Sequence, residues 1–76
     1  MHEATVASRI LHTAQGYGAV NTVYVSVGRS SCIHPDMLRN AFNMGKHGTK
    51  LSAAELIALP CPGEDIAVLW VEVDDG

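Results

Sequence analysis

Apolar and polar residues recur along the chain with two different periods, and the changes of period mark out its elements. From Ala4 to Gln15, Val6, Ala7, Ile10, Leu11 and Ala14 fall on one helix face, with Ser8, Arg9, His12 and Gln15 opposite. Gly16-Tyr17-Gly18 ends this helix, because glycine tolerates the left-handed backbone that follows a last helical turn. From Val20 to Gly28 the period becomes two: Val23, Val25 and Val27 alternate with Thr22, Tyr24 and Ser26, as in a strand with one buried face. A loop through Gly28-Arg29-Ser30-Ser31 leads to a second helix, capped by His34 and opened by Pro35, whose missing N–H is no loss at a first helical position. Met37, Leu38, Ala41, Phe42 and Met44 form its apolar stripe, and Gly48 ends it.

Ala53 to Leu59 reads as a second strand and Ile66 to Asp74 as a third. The turn composition of Pro60-Cys61-Pro62-Gly63-Glu64-Asp65 between them predicts an antiparallel hairpin. The strand-helix-strand crossover that precedes it predicts a right-handed connection, with the first two strands parallel. Each helix has one apolar stripe and a small domain has one core, so both helices must cover the same sheet face. The predicted fold is α/β (α+β): two helices on one face of a small three-stranded mixed sheet, in the order α-β-α-β-β. Ala67, Leu69, Val71 and Val73 are then expected to face the helices. Ile66, Val68 and Trp70 are left on the opposite face, where Tyr24, Val68 and Trp70 make an apolar patch of the kind that marks a protein partner surface.

Length and composition narrow the function. A chain of 76 residues is one small domain, and 47% apolar content at a net charge of −3 favours a packed core over disorder. Five Lys and Arg without a basic cluster argue against nucleic acid or an anionic membrane as the partner. No apolar run reaches the roughly 20 residues of a membrane span, and no charged leader precedes the first helix, so a cytoplasmic location is expected. Cys32 and Cys61 form no C-x-x-C pair, and no zinc-ligand spacing occurs.

Two stretches carry candidate chemistry. In Met1-His2-Glu3, an α-amine, an imidazole one residue later and the backbone nitrogens between them can chelate a metal ion in small rings, which favours nitrogen-preferring ions such as Ni(II) or Cu(II). A bulky second residue should keep Met1 in place. The amine, with an ordinary pKa of about 7.7–8.0, gives up its proton readily. A helix starting near Ala4 leaves its first N–H groups without intrahelical partners, so an amide can become a ligand without breaking a helical hydrogen bond. The second stretch is Cys32 and His34, a nucleophile-and-base pair if the two side chains meet; otherwise Cys32 is a small buried thiol beside a helix cap. Met37 and Met44 read as core, and His12 and His47 as solvated surface.

Met1-His2-Glu3 opening an amphipathic helix, V-x-V-x-V-G, S-C-I-H-P-D-M-L-R-N-A-F and G-T-x-L-x-x-A-E-L, in this order and spacing, closely resemble the HypA/HybF family of nickel chaperones for hydrogenase maturation. The resemblance implies Ni(II) held by His2, with the Met1 amine and Glu3 as further donors. It also implies a non-enzymatic role, a HypB-like maturation GTPase as partner, and the NiFe-hydrogenase large subunit as recipient. Family members carry a zinc module with two C-x-x-C pairs at the place where Pro60-Cys61-Pro62-Gly63 stands here. The chain is therefore expected to be a single HypA-like domain over 1–76, without zinc, its module missing at 60–65. Arg29 replaces a usual Glu, and Ala4 a usual larger apolar residue. An edge strand left bare by the lost module would permit a homodimer. The rival readings are an interaction module that delivers no metal, and a small enzyme using Cys32 and His34.

Overall fold

The computed structural model describes residues 3–73. Helix α1 runs Glu3–Gln15, strand β1 Val20–Gly28, helix α2 Pro35–Gly45, strand β2 Glu55–Cys61 and strand β3 Ile66–Val73. The elements and their order are those the periodicity predicts. The buried face of α1 consists of Val6, Ala7, Ile10, Leu11 and Ala14, and that of β1 includes Val23, Val25 and Val27. Both helices contribute to one core with these valines, so they cover the same face of the sheet. No helix among the described residues is long and apolar enough to cross a membrane.

The predicted hairpin is not formed. The sheet order is β2-β1-β3, with β1 in the middle, parallel to β2 and antiparallel to β3. The residues joining β2 to β3 cross the end of β1 instead of reversing beside it. The physical reason is that β1 carries the most deeply buried apolar stripe, and a central place pairs its backbone groups on both edges, where burial would otherwise leave them unsatisfied. The connection is long enough: the four residues between Cys61 and Ile66 span up to roughly 13 Å, and the outer strands of a three-stranded sheet stand about 9.5 Å apart. Three backbone bonds hold it down, from Gly28 N–H to the Asp65 carbonyl (2.8 Å), Arg29 N–H to the Cys61 carbonyl (2.8 Å) and Ser30 N–H to the Gly63 carbonyl (2.9 Å). Pro60 and Cys61 accordingly belong to β2 and not to the turn.

Two facing assignments also change. Tyr24 pairs with Trp70 but Val25 pairs with Val68, so Leu69 is an extra residue in β3. Such a bulge reverses the alternation on either side of it. Ile66, Val68 and Val71 consequently pack against the core, whereas Leu69 is 46% and Trp70 50% exposed. In α2 the seam is narrower than its sequence implies. Leu38 and Phe42 are fully buried, while Met37 and Met44 are exposed, each at least a quarter turn round the helix from that seam.

The crossing at the end of β1 explains why residue 28 is glycine. A Cβ there would run into the Gly63 carbonyl and the Asp65 amide. Gly28→Ala is expected to destabilise the fold by on the order of 1–3 kcal/mol through this overpacking, measured by urea denaturation. Gly16→Ala, whose Cβ would meet only the Thr13 carbonyl at 3.4 Å, is the comparison and should be far milder.

Candidate metal centre

Met1 and His2 lie outside the described residues, and Glu3 is the first residue of the proposed ligand set whose surroundings can be stated. It opens α1 and is half-buried. Its Oε2 accepts a hydrogen bond from the backbone N–H of His34 at 3.2 Å. This contact fastens the start of α1 to the start of α2, two points 31 residues apart in the chain.

That segment is held from within. Ser31 Oγ donates to the Gly28 carbonyl at 2.6 Å and accepts from Ile33 N–H at 3.2 Å. Ile33 is buried and anchors the loop in the core. Cys32, just before it, has φ +64°, a left-handed conformation that a residue with a Cβ adopts at a cost of about 1–2 kcal/mol. Its thiol is exposed and free, not buried as a core thiol would be. Cys32 and His34 line a shallow cleft together with Arg29, Pro35 and Pro60. His34 is the N-cap of α2, with extended backbone, but its imidazole makes no cap hydrogen bond.

Among the described residues no three His, Cys, Asp or Glu side chains gather into a metal-binding cluster. Nor do Cys32 and His34 form the hydrogen-bonded pair that an activated nucleophile requires. Both side chains reach the cleft, yet no hydrogen bond links them.

The sequence carries a decisive likeness over this region. Residues 1–65 match the model of the HypA family, described as hydrogenase/urease nickel incorporation, metallochaperone, hypA. The chain belongs to the HypA family. A comparison with curated proteins gives no match. The match to HypA takes in α1, β1, the Cys32–His34 loop, α2, β2 and the connection after it, and it stops just before β3. HypA proteins are nickel-incorporation metallochaperones for hydrogenase or urease, which places the chain among proteins that carry nickel and work with other proteins.

The sheet face turned away from the helices is the other feature of this HypA chain with evident binding chemistry. Tyr24 and Trp70 stack there, ring centroids 4.4 Å apart and planes inclined at 23°. The Tyr24 hydroxyl donates to Glu72 Oε1 at 3.1 Å. Register places Ile57 of β2 beside Tyr24, and Glu55 beside Thr22. Of the three residues expected on this face, Tyr24 and Trp70 meet, while Val68 lies on the core side because of the Leu69 bulge. A second hollow of about 540 Å³ runs between α1 and β3, lined by Val6, Arg9, Ile10, Ile66 and Val68 among others. Amphipathic patterning gives no sign of it, because the apolar stripe of a helix does not reveal how far the helix sits from each strand.

Hydrogen bonding to Glu72, with smaller contributions from desolvation and from the charges of Glu72 and Glu55, raises the Tyr24 phenol above its ordinary value. A raised folded-state pKa means that this contribution to stability is present below the ordinary tyrosine range, near 10, and lost as pH climbs through the raised value. Glu72→Gln should therefore bring the Tyr24 titration back down. Absorbance at alkaline pH in a Tyr17→Phe background, where Tyr24 is the remaining tyrosine, checks this.

Proposed function

We propose that the chain is a nickel-binding metallochaperone for metalloenzyme maturation, holding Ni(II) at its terminus through His2, the Met1 amine and the backbone nitrogen of Glu3. It hands the ion to a NiFe-hydrogenase, through a HypB-like GTPase or directly to the large subunit, in the cytoplasm and without catalysing a reaction. Membership of the HypA family over residues 1–65 is the observation that carries this reading. The chemistry of the terminus supports it. An amine, an imidazole and deprotonated amides form a strongly donating nitrogen set for Ni(II). The negative charge of such amides offsets the unfavourable placing of a cation at a helix N-terminus. With the Glu3 carboxylate engaged by His34 N–H, the backbone nitrogen is the donor assigned to Glu3. A carrier needs an exchangeable site, and a terminal chelate with open positions releases its ion more readily than a closed four-ligand cage. The chain acts as one domain, with no zinc module at the β2–β3 connection and no zinc requirement.

A second reading, an interaction module that binds a maturation partner without delivering metal, is favoured by the half-exposed Tyr24–Trp70 stack. Aromatic anchors of this kind dominate protein interfaces.

Calorimetric titration of Ni(II) into protein with an authentic Met1 should give one ion per chain. A short N-terminal extension, which replaces the free amine with a peptide nitrogen, should remove most of the affinity; undiminished binding in the extended protein would rule out the terminal chelate. Trp70→Ala separates the second reading. It should leave nickel affinity intact under either reading, but should abolish hydrogenase maturation in cells if the stacked face is what the partner reads.

A further inference from the structure

We propose that the sheet face turned away from the helices is a docking site for an amphipathic helix of a protein partner, one with arginine or lysine at an end of its apolar stripe. The inference rests on the reading of this face as a partner surface, deepens it by naming the partner's chemistry, and uses no part of the terminal nickel site.

Register lays the face out in rows. Val23, Val25 and Val27 are buried on the helix side, so Thr22, Tyr24 and Ser26 point the other way. Thr22 has Glu55 beside it in β2 and Glu72 beside it in β3. In the next row Ile57 and Trp70 flank Tyr24, and Leu59 stands beside Ser26 in the row after. One end of the face is thus a pair of carboxylates, and its middle is aliphatic and aromatic. Trp70 stacks on Tyr24 and still has half its surface exposed.

Charge decides the occupant. Neither Glu55 nor Glu72 forms an ion pair among the described residues. Both bear on one spot: the Tyr24 phenol is raised by its hydrogen bond to Glu72, then by desolvation and by the charges of Glu72 and Glu55. No Lys or Arg occurs in β1, β2 or β3. A second copy laid face to face would bury these carboxylates with no cation to pair them, which is strongly unfavourable. Nucleic acid, with its own negative charge, is repelled. A guanidinium or ammonium answers both features of the face. It pairs with carboxylates, and it is attracted to the ring faces of tryptophan and tyrosine.

Shape decides the form of the partner. Neither hollow described above includes Tyr24, Ile57 or Trp70, and a face without a hollow suits a protein better than a small molecule. A bare sheet face is buried by packing another layer on it. The outer strands of a three-stranded sheet stand about 9.5 Å apart, and a helix with its side chains is about 10–12 Å across. One helix therefore covers the face, its apolar stripe over Ile57, Tyr24 and Trp70 and its basic end over Glu55 and Glu72.

The test reads Trp70 itself, the one tryptophan of the chain, whose emission reports on this face directly. Two stapled, tryptophan-free helical peptides of about 15 residues are titrated into the protein, one with a leucine stripe flanked by arginines and one with the same stripe flanked by glutamates. The arginine peptide is expected to bind at least about tenfold more tightly, with the difference shrinking as salt rises. The double variant Glu55→Gln, Glu72→Gln keeps an acceptor for the Tyr24 hydroxyl, so its thermal transition should be little changed while most of the preference is lost. Equal binding of the two peptides, binding of neither, or an undiminished preference in the double variant overturns the proposal. So does a dimer in sedimentation equilibrium that Trp70→Ala dissociates, because a second copy then occupies the face. The cellular experiment with Trp70→Ala separates the two levels. Lost hydrogenase maturation without an arginine preference overturns the basic helix and leaves the partner surface standing; intact maturation with an arginine preference supports the basic helix and removes hydrogenase maturation as its purpose.

Discussion

The whole molecule depends on β1 being used on three sides at once. Val23, Val25 and Val27 are 0–2% exposed beneath both helices, while β2 and β3 pair with the strand's two edges. Burying a valine side chain is worth about 1.5–3 kcal/mol, so this short stripe outweighs any surface interaction in the domain. The exposed Asp36–Arg39 ion pair, at 3.4 Å, contributes at most about 1 kcal/mol. Once β1 is central, the two ends of the sheet acquire different characters. At its C-terminal end the crossing connection closes over Gly28, and the chain leaves directly into the loop that reaches the start of α1.

That loop is where architecture becomes chemistry. Ser31 and Ile33 hold it from inside the fold, and the Glu3–His34 contact holds it from the helix side. The two helix starts are joined although 31 residues separate them. The valine core behind this loop and the start of α1 gives both a rigid support.

Much of this was legible in the residues. The periods of Val6–Ala14 and of Val23–Val27 lead straight to α1 and β1, and the motif order leads to the HypA family. Strand order was not legible, because Pro60–Asp65 has the composition of a tight turn whether it reverses beside its own strand or crosses the end of another. The facing of Val68 is hidden from the pattern for a related reason. Period-two counting assumes an unbroken ladder, and one additional residue at Leu69 shifts everything before it to the other side. Met37 and Met44 look like core by type, yet only contact with a neighbour makes a side chain core, and α2 touches its neighbours along Leu38 and Phe42. The contact between the Glu3 carboxylate and His34 N–H is a tertiary fact that no local spacing encodes.

The Leu69 bulge also bears on how the protein behaves in a crowded solution. A three-stranded open sheet has two free edges, each a template on which another chain can build. On β3 the bulge twists the backbone and interrupts the regular row of donors and acceptors. On β2 the Cys61 carbonyl reaches inward to Arg29, so the neighbouring peptide groups at Pro60 point outward, and there proline offers no N–H at all. Both margins of an otherwise adhesive, valine-rich sheet are thus blunted, one by geometry and one by a missing donor. Edge-to-edge pairing is therefore less favourable at both margins than along an unbroken ladder.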